Sequence, residues 1–151
     1  SGFTDGLEVF AGYSNIEQDA DAANAAGKTG DRSQYVYGLT YAVGSVTIGY
    51  QYSRDNLENR SAAATSYYQN DAFGVSFNIN DNLSLSYGNH KSDRNLTDNS
   101  SVELEAESLQ LAYTMGGMSV KIAESTVDNG SYTSGTGKDR DGTTIALTLA
   151  F

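Results

Sequence analysis

Connections of two kinds alternate along this chain, and that alternation limits its fold more than any other feature. Gly44-Ser45, Asn80-Asp81-Asn82 and Gly116-Gly117 read as tight turns made of residues that tolerate positive φ. Between them lie four charged stretches rich in Gly, Ser, Asn and Asp, at 15–34, 54–70, 90–107 and 126–141. The eight segments so separated alternate with a period of two. They are LEVFAGYSN from Leu7, QYVYGLTYAV from Gln34, VTIGYQYS from Val46 and DAFGVSFNI from Asp71, then LSLSYGN from Leu83, ESLQLAYTM from Glu107, MSVKIAES from Met118 and GTTIALTLAF from Gly142. Each is close to the roughly 9 to 11 residues that a tilted strand needs to cross a bilayer. Short turns on one rim and long polar loops on the other are how transmembrane barrels are organised. A soluble meander has no reason to sort its loops this way. The expected fold is therefore all-β, an antiparallel up-and-down transmembrane β-barrel of about eight strands here, in one domain over 1–151.

The two parities of each segment differ in character. In TTIALTLAF, Thr143, Ile145, Leu147, Leu149 and Phe151 share one face, and small weakly polar residues share the other. Tyr41, Phe77 and Tyr113 stand shortly before the tight turns, with Phe151 at the same level, while Tyr13, Tyr52 and Tyr87 stand near the opposite ends. These form two aromatic girdles around an aliphatic band of Leu39, Ile48, Val75, Leu85, Leu111, Val120 and Leu147, as expected at two water–lipid interfaces. The plainer explanation, that Tyr is simply a good strand residue, does not account for the matched levels. The other parity is mostly Gly, Ala, Ser and Thr, with Glu8, Gln51, Asn78, Gln110 and Lys121 as its larger polar members. A barrel of about eight strands is filled by its own side chains. These residues are too small for that and suit the wall of a water-filled pore, which makes the five polar residues pore-lining candidates. SGFTDGLEVFAGY repeats the pattern of FNINDNLSLSYGN, with Phe3 before a Thr4-Asp5-Gly6 turn. The expectation is that the chain is the C-terminal part of a longer one.

Composition closes off other functions. A formal charge of −10 speaks against a nucleic-acid partner. Zero cysteine removes disulfides and thiolate metal sites, and no apolar run is long enough for a transmembrane helix. His90 is the single histidine, and pairing it with Asp93 gives at most a weak general base, so no catalytic residue is assigned. EQDADAANAAGKTGD and DNGSYTSGTGKDRDG have the composition of calcium loops without the spacing and closing Glu of a strong match. No metal site and no cofactor are expected. ELEAESLQL continues an alternation and reads as strand, with Glu103, Glu105 and Glu107 above the apolar band. The acidic stretches and Glu8 point to a modest preference for cations, with Lys121 opposing it.

With these residues in view, the chain resembles the C-terminal half of a general diffusion porin of Gram-negative outer membranes. The resemblance rests on GLTYAVGSVTIGYQYS, FGVSFNINDNLSLSYG, LQLAYTMGGMSVKIAES and TTIALTLAF, and spans essentially the whole sequence. It implies a homotrimer of barrels of about 16 strands in the outer membrane, set among its lipid and lipopolysaccharide and passing small hydrophilic solutes and ions. It also implies that the terminal Phe151 is the signal read by the outer-membrane assembly machinery. The inward-folded constriction loop of such porins has no counterpart here. Two rival readings remain: a self-contained eight-stranded outer-membrane barrel used in adhesion or surface binding, and a soluble sandwich or calyx holding an apolar ligand.

Overall fold

A computed structural model of the chain describes residues 5–20, 27–135 and 137–150. It is all-β: β1 (Leu7–Ile16), β2 (Arg32–Val43), β3 (Val46–Asn56), β4 (Thr65–Asn78), β5 (Leu83–Leu96), β6 (Ser101–Met115), β7 (Met118–Asp128) and β8 (Arg140–Leu149). Each strand pairs antiparallel with the next in sequence, giving one up-and-down sheet in the order β1 to β8. Among the described residues β1 and β8 each pair on one side only. The tight turns fall where the sequence puts them. Gly44 and Gly116 open two-residue hairpin loops at φ of 58° and 59°, a region where only glycine sits without steric cost. Asn80 closes its turn through its side chain, Oδ1 accepting from the amides of Asn82 and Leu83 at 2.9 and 3.0 Å.

The opposite strand ends differ from the sequence expectation. β4 begins at Thr65 instead of Asp71 and β5 runs to Leu96 instead of Asn89, while β6 begins at Ser101, two residues ahead of the strand read in ELEAESLQL. Much of the stretches 54–70 and 90–107 is therefore strand, and the connections shrink to 57–64 and 97–100. The polar residues there find cross-strand partners, which lets the ladder continue. Lys91 Nζ lies 3.5 and 3.3 Å from Glu103 and Glu105, Asn89 Nδ2 donates to Glu105 at 2.7 Å, and the Arg54 guanidinium sits 3.6 Å from the centre of the Tyr67 ring. At the tip of the β5–β6 hairpin, the hydroxyl and then the amide of Ser100 donate to Asp98 Oδ1 at 2.6 and 2.9 Å. These bonds to the charged form hold the Asp98 carboxyl below its ordinary range.

The register sorts the side chains into an apolar and a polar face. Among the described residues no apolar side chain is buried; Ile145 and Leu147 are 72% and 60% exposed. On the apolar face, directly paired residues run from Leu7 through Tyr41, Ile48, Val75, Tyr87 and Leu109 to Glu124 and Thr143. This row starts at the turn-side margin of the apolar band on β1 and ends at its far margin on β8, where the turn-side margin is Leu149. The band thus crosses the sheet obliquely, with a stagger of six residues over seven strand-to-strand steps. At about 3.3 Å per residue and about 4.8 Å per step, the strands lean about 30° from the normal of the band. On β2 the band runs from Tyr35 to Val43, which is about 23 Å measured along that normal. Beyond it, on the same face, stand Asp71, Asp93, Glu103, Glu105, Glu107, Glu124, Asp128 and Asp141, with Arg54 and Lys91.

Phe10 departs from the small-residue rule of the polar face and lies over Gly38. A Cβ on Gly38 would stand 2.5 Å from Phe10 Cζ and 2.5 Å from the Tyr50 carbonyl oxygen. Gly38→Ala is expected to destabilise the sheet by about 1–3 kcal/mol, read as a lower urea midpoint. Adding Phe10→Ala restores only part of the loss, because the carbonyl contact remains; full restoration would show that the ring alone sets the constraint.

Candidate functional site

The candidate site is the polar face. It is built from the alternate positions of all eight strands, and its middle is floored by Thr40, Gly49, Gly74, Gly88, Ser108 and Ser125, which pair across β2 to β7 in one row. Side chains this short leave hollows on this face. One of about 450 Å³ is lined by Gly12, Ser14, Gln34, Val36, Asp55 and Asn70, and another runs past Thr40, Thr47, Gly49, Gly74, Ser76 and Ser86.

The residues singled out from sequence divide between the faces. Glu8 pairs with Thr40, Gln51 lies between Gly38 and Ala72, and Asn78 pairs with Ser84. Gln110 lies between Ser86 and Ala123, and Lys121 between Ala112 and Ala146. All five stand on the polar face beside small neighbours. Tyr13, Tyr41, Tyr52, Phe77, Tyr87 and Tyr113 stand on the apolar face. Phe151, Phe3 and Thr4 lie outside the described residues. His90, expected in a loop, is in β5 on the polar face, and Asp93 is on the opposite one, so alternation separates the suggested acid–base pair. Among the described residues no group of three His, Asp or Glu side chains is placed to hold a metal ion; residues 21–26 of the first calcium-like stretch lie outside them.

The sequence reading missed a polar cluster at the end of this face away from the tight turns. Arg32 forks onto Asp55, Nε donating to Oδ1 at 2.8 Å and Nη2 to Oδ2. Beside it a chain of hydrogen bonds crosses three strands. Ser92 Oγ donates to Asn70 Oδ1 at 2.5 Å, and Asn70 Nδ2 donates to Ser53 Oγ at 3.2 Å. Ser92 is the one buried polar residue among those described, at 2% exposure, because the β7–β8 connection folds across it. Tyr132 shares a 2.6 Å hydrogen bond with the Ser92 hydroxyl, its ring centre lies 5.4 Å from that of Tyr68, and its carbonyl accepts from Arg94 Nη2 at 3.1 Å. Tyr132 holds φ of 53° and its neighbours Ser131 and Asn129 hold 63° and 53°, conformations costly for residues with a Cβ. The packing of Tyr132 offsets that cost. The even parity of Ser92 and Arg94, continuous with Ser84 and Ser86, was the available signal for the strand part of this cluster.

No protein-family model matches the chain, and neither does any curated protein. Tyr132→Ala is expected to release the connection 129–139 from the sheet, so that its amides exchange hydrogen about tenfold faster while those of β4 and β5 keep their protection. Tyr132→Phe, which retains the ring contact with Tyr68, gives a smaller change. Unaltered exchange in Tyr132→Ala would mean that the connection is held elsewhere.

Proposed function

We propose that the chain is part of the wall of an outer-membrane diffusion porin, with the apolar face against lipid and the polar face against a water-filled passage for small hydrophilic solutes and ions. The observation that carries this reading is the oblique apolar band. It is continuous over all eight strands, uncovered, and about 23 Å tall at a strand lean of about 30°. Lipid-facing bands of outer-membrane barrels are about 25 Å tall on strands leaning about 35–45°. An apolar surface of this extent is far larger than the few hundred Å² that soluble monomers leave open. A soluble sandwich or calyx would bury it, and no apolar side chain among the described residues is buried. The short side chains of the polar face support a wide passage over a barrel of about eight strands packed shut by its own residues. On this reading the protein has no enzymatic activity and works without a cofactor. It assembles as a homotrimer among outer-membrane lipid and lipopolysaccharide, through the outer-membrane assembly machinery.

The test is extraction of the parent protein in detergent and its mobility on a gel with and without heating, followed by conductance in a planar bilayer. A heat-labile trimer that conducts supports the porin. A monomer that conducts nothing favours the self-contained barrel of adhesion, and a protein soluble without detergent removes both. The two faces are told apart by neighbouring substitutions. Ile122→Arg places a charge in the band and is expected to cost about 2–4 kcal/mol of folding stability in lipid. Ala123→Arg places the same charge on the polar face and costs little. Equal losses would count against the assignment of faces.

A further inference from the structure

Charge is sorted between the two faces of the sheet in a way that the total of −10 conceals. On the polar face the strands carry Arg32, Arg94, Lys121 and Arg140 against Glu8 and Asp55, an excess of two positive charges. On the apolar face they carry the eight carboxylates beyond the band against Arg54 and Lys91, an excess of six negative charges. We infer that the passage favours small anions over cations and that Arg94, Lys121 and Arg140 are the residues that attract them. This rests on the channel reading given above.

Arg32 and Asp55 cancel each other in their forked pair, so neither sets the sign. Glu8 is the remaining wall carboxylate, with the Thr40 hydroxyl donating to it at 3.4 Å. Lys121 stands exposed between Ala112 and Ala146, with no acid directly across from it on either neighbouring strand. Arg94 and Arg140 lie on the same face toward the end away from the tight turns. Cationic side chains lining a pore raise the local concentration of anions. The outward carboxylates act on the other side of the sheet, where water and salt screen them within about 8 Å at physiological ionic strength. Lys91, held by Glu103 and Glu105, offsets part of their charge. The connections on the same rim keep an acidic excess, but it lies outside the strands that form the wall. Glu103, Glu105 and Glu107 belong to β6 and stand on the outward face, above the apolar band, as the alternation of ELEAESLQL implies, so they lend the passage no preference for cations.

The experiment is the zero-current potential of the full protein in a planar bilayer separating two KCl concentrations, with heat-labile mobility as the check that each variant is folded. Chloride is expected to pass more readily than potassium. Lys121→Glu and Arg140→Glu should each lower the chloride-to-potassium ratio by about twofold or more, since each reverses a unit charge on the wall. Glu105→Gln and Glu107→Gln should leave it unchanged. A native preference for potassium overturns the inference, as does a shift in Glu105→Gln as large as that in Lys121→Glu. Folded protein without any conductance instead removes the channel reading, and the inference with it. Should Lys121→Glu fail to fold, Lys121→Gln reads the same effect at half the charge change.

Discussion

The structure depends on one constraint: each strand satisfies its backbone by pairing with its neighbours in sequence, β2 to β7 on both sides and β1 and β8 on one among the described residues. A polar backbone group left without a partner in an apolar surrounding costs several kcal/mol. A continuous ladder meets that cost without any buried core, which is why a chain with no buried apolar side chain among the described residues can still be ordered over eight strands. The side chains are then free to specialise by face. Polar ones extend the ladder beyond the band wherever cross-strand partners exist, as Lys91 does between Glu103 and Glu105.

Most of the turn-side architecture was legible in the sequence, because it is written in local chemistry. Gly44-Ser45, Asn80-Asp81-Asn82 and Gly116-Gly117 each demand a turn, and the aromatic residues before them mark the start of an apolar band. The far ends of the strands were not legible by the same means. Apolar periodicity ends a strand where charge begins, and so stops β5 at Asn89 although the alternation of Ser92 and Arg94 carries on to Leu96. What decides those ends is pairing between β4, β5 and β6, information that no single segment contains.

Glu8, Gln51, Asn78, Gln110 and Lys121 share the polar face, as their parity implies. Its most organised part still went unseen. The cluster around Ser92 needs Tyr132, which lies 40 residues away in a connection whose backbone takes left-handed conformations at three non-glycine residues. Sequence reading expects such conformations at Gly or Asn. A tyrosine there is understandable only once Tyr68, Ser92 and Arg94 are in place to hold it.

The meander topology also bears on how the sheet comes together. Every pairing joins sequence neighbours, and four of the seven hairpins are closed by four residues or fewer, at 44–45, 79–82, 97–100 and 116–117. The entropy lost in closing such loops is small, and local contacts of this kind form early and fast. The sheet can therefore grow hairpin by hairpin from any of these turns. Growth of this kind leaves one open edge at β1 and one at β8 among the described residues, and any pairing made there lacks the help of a short loop.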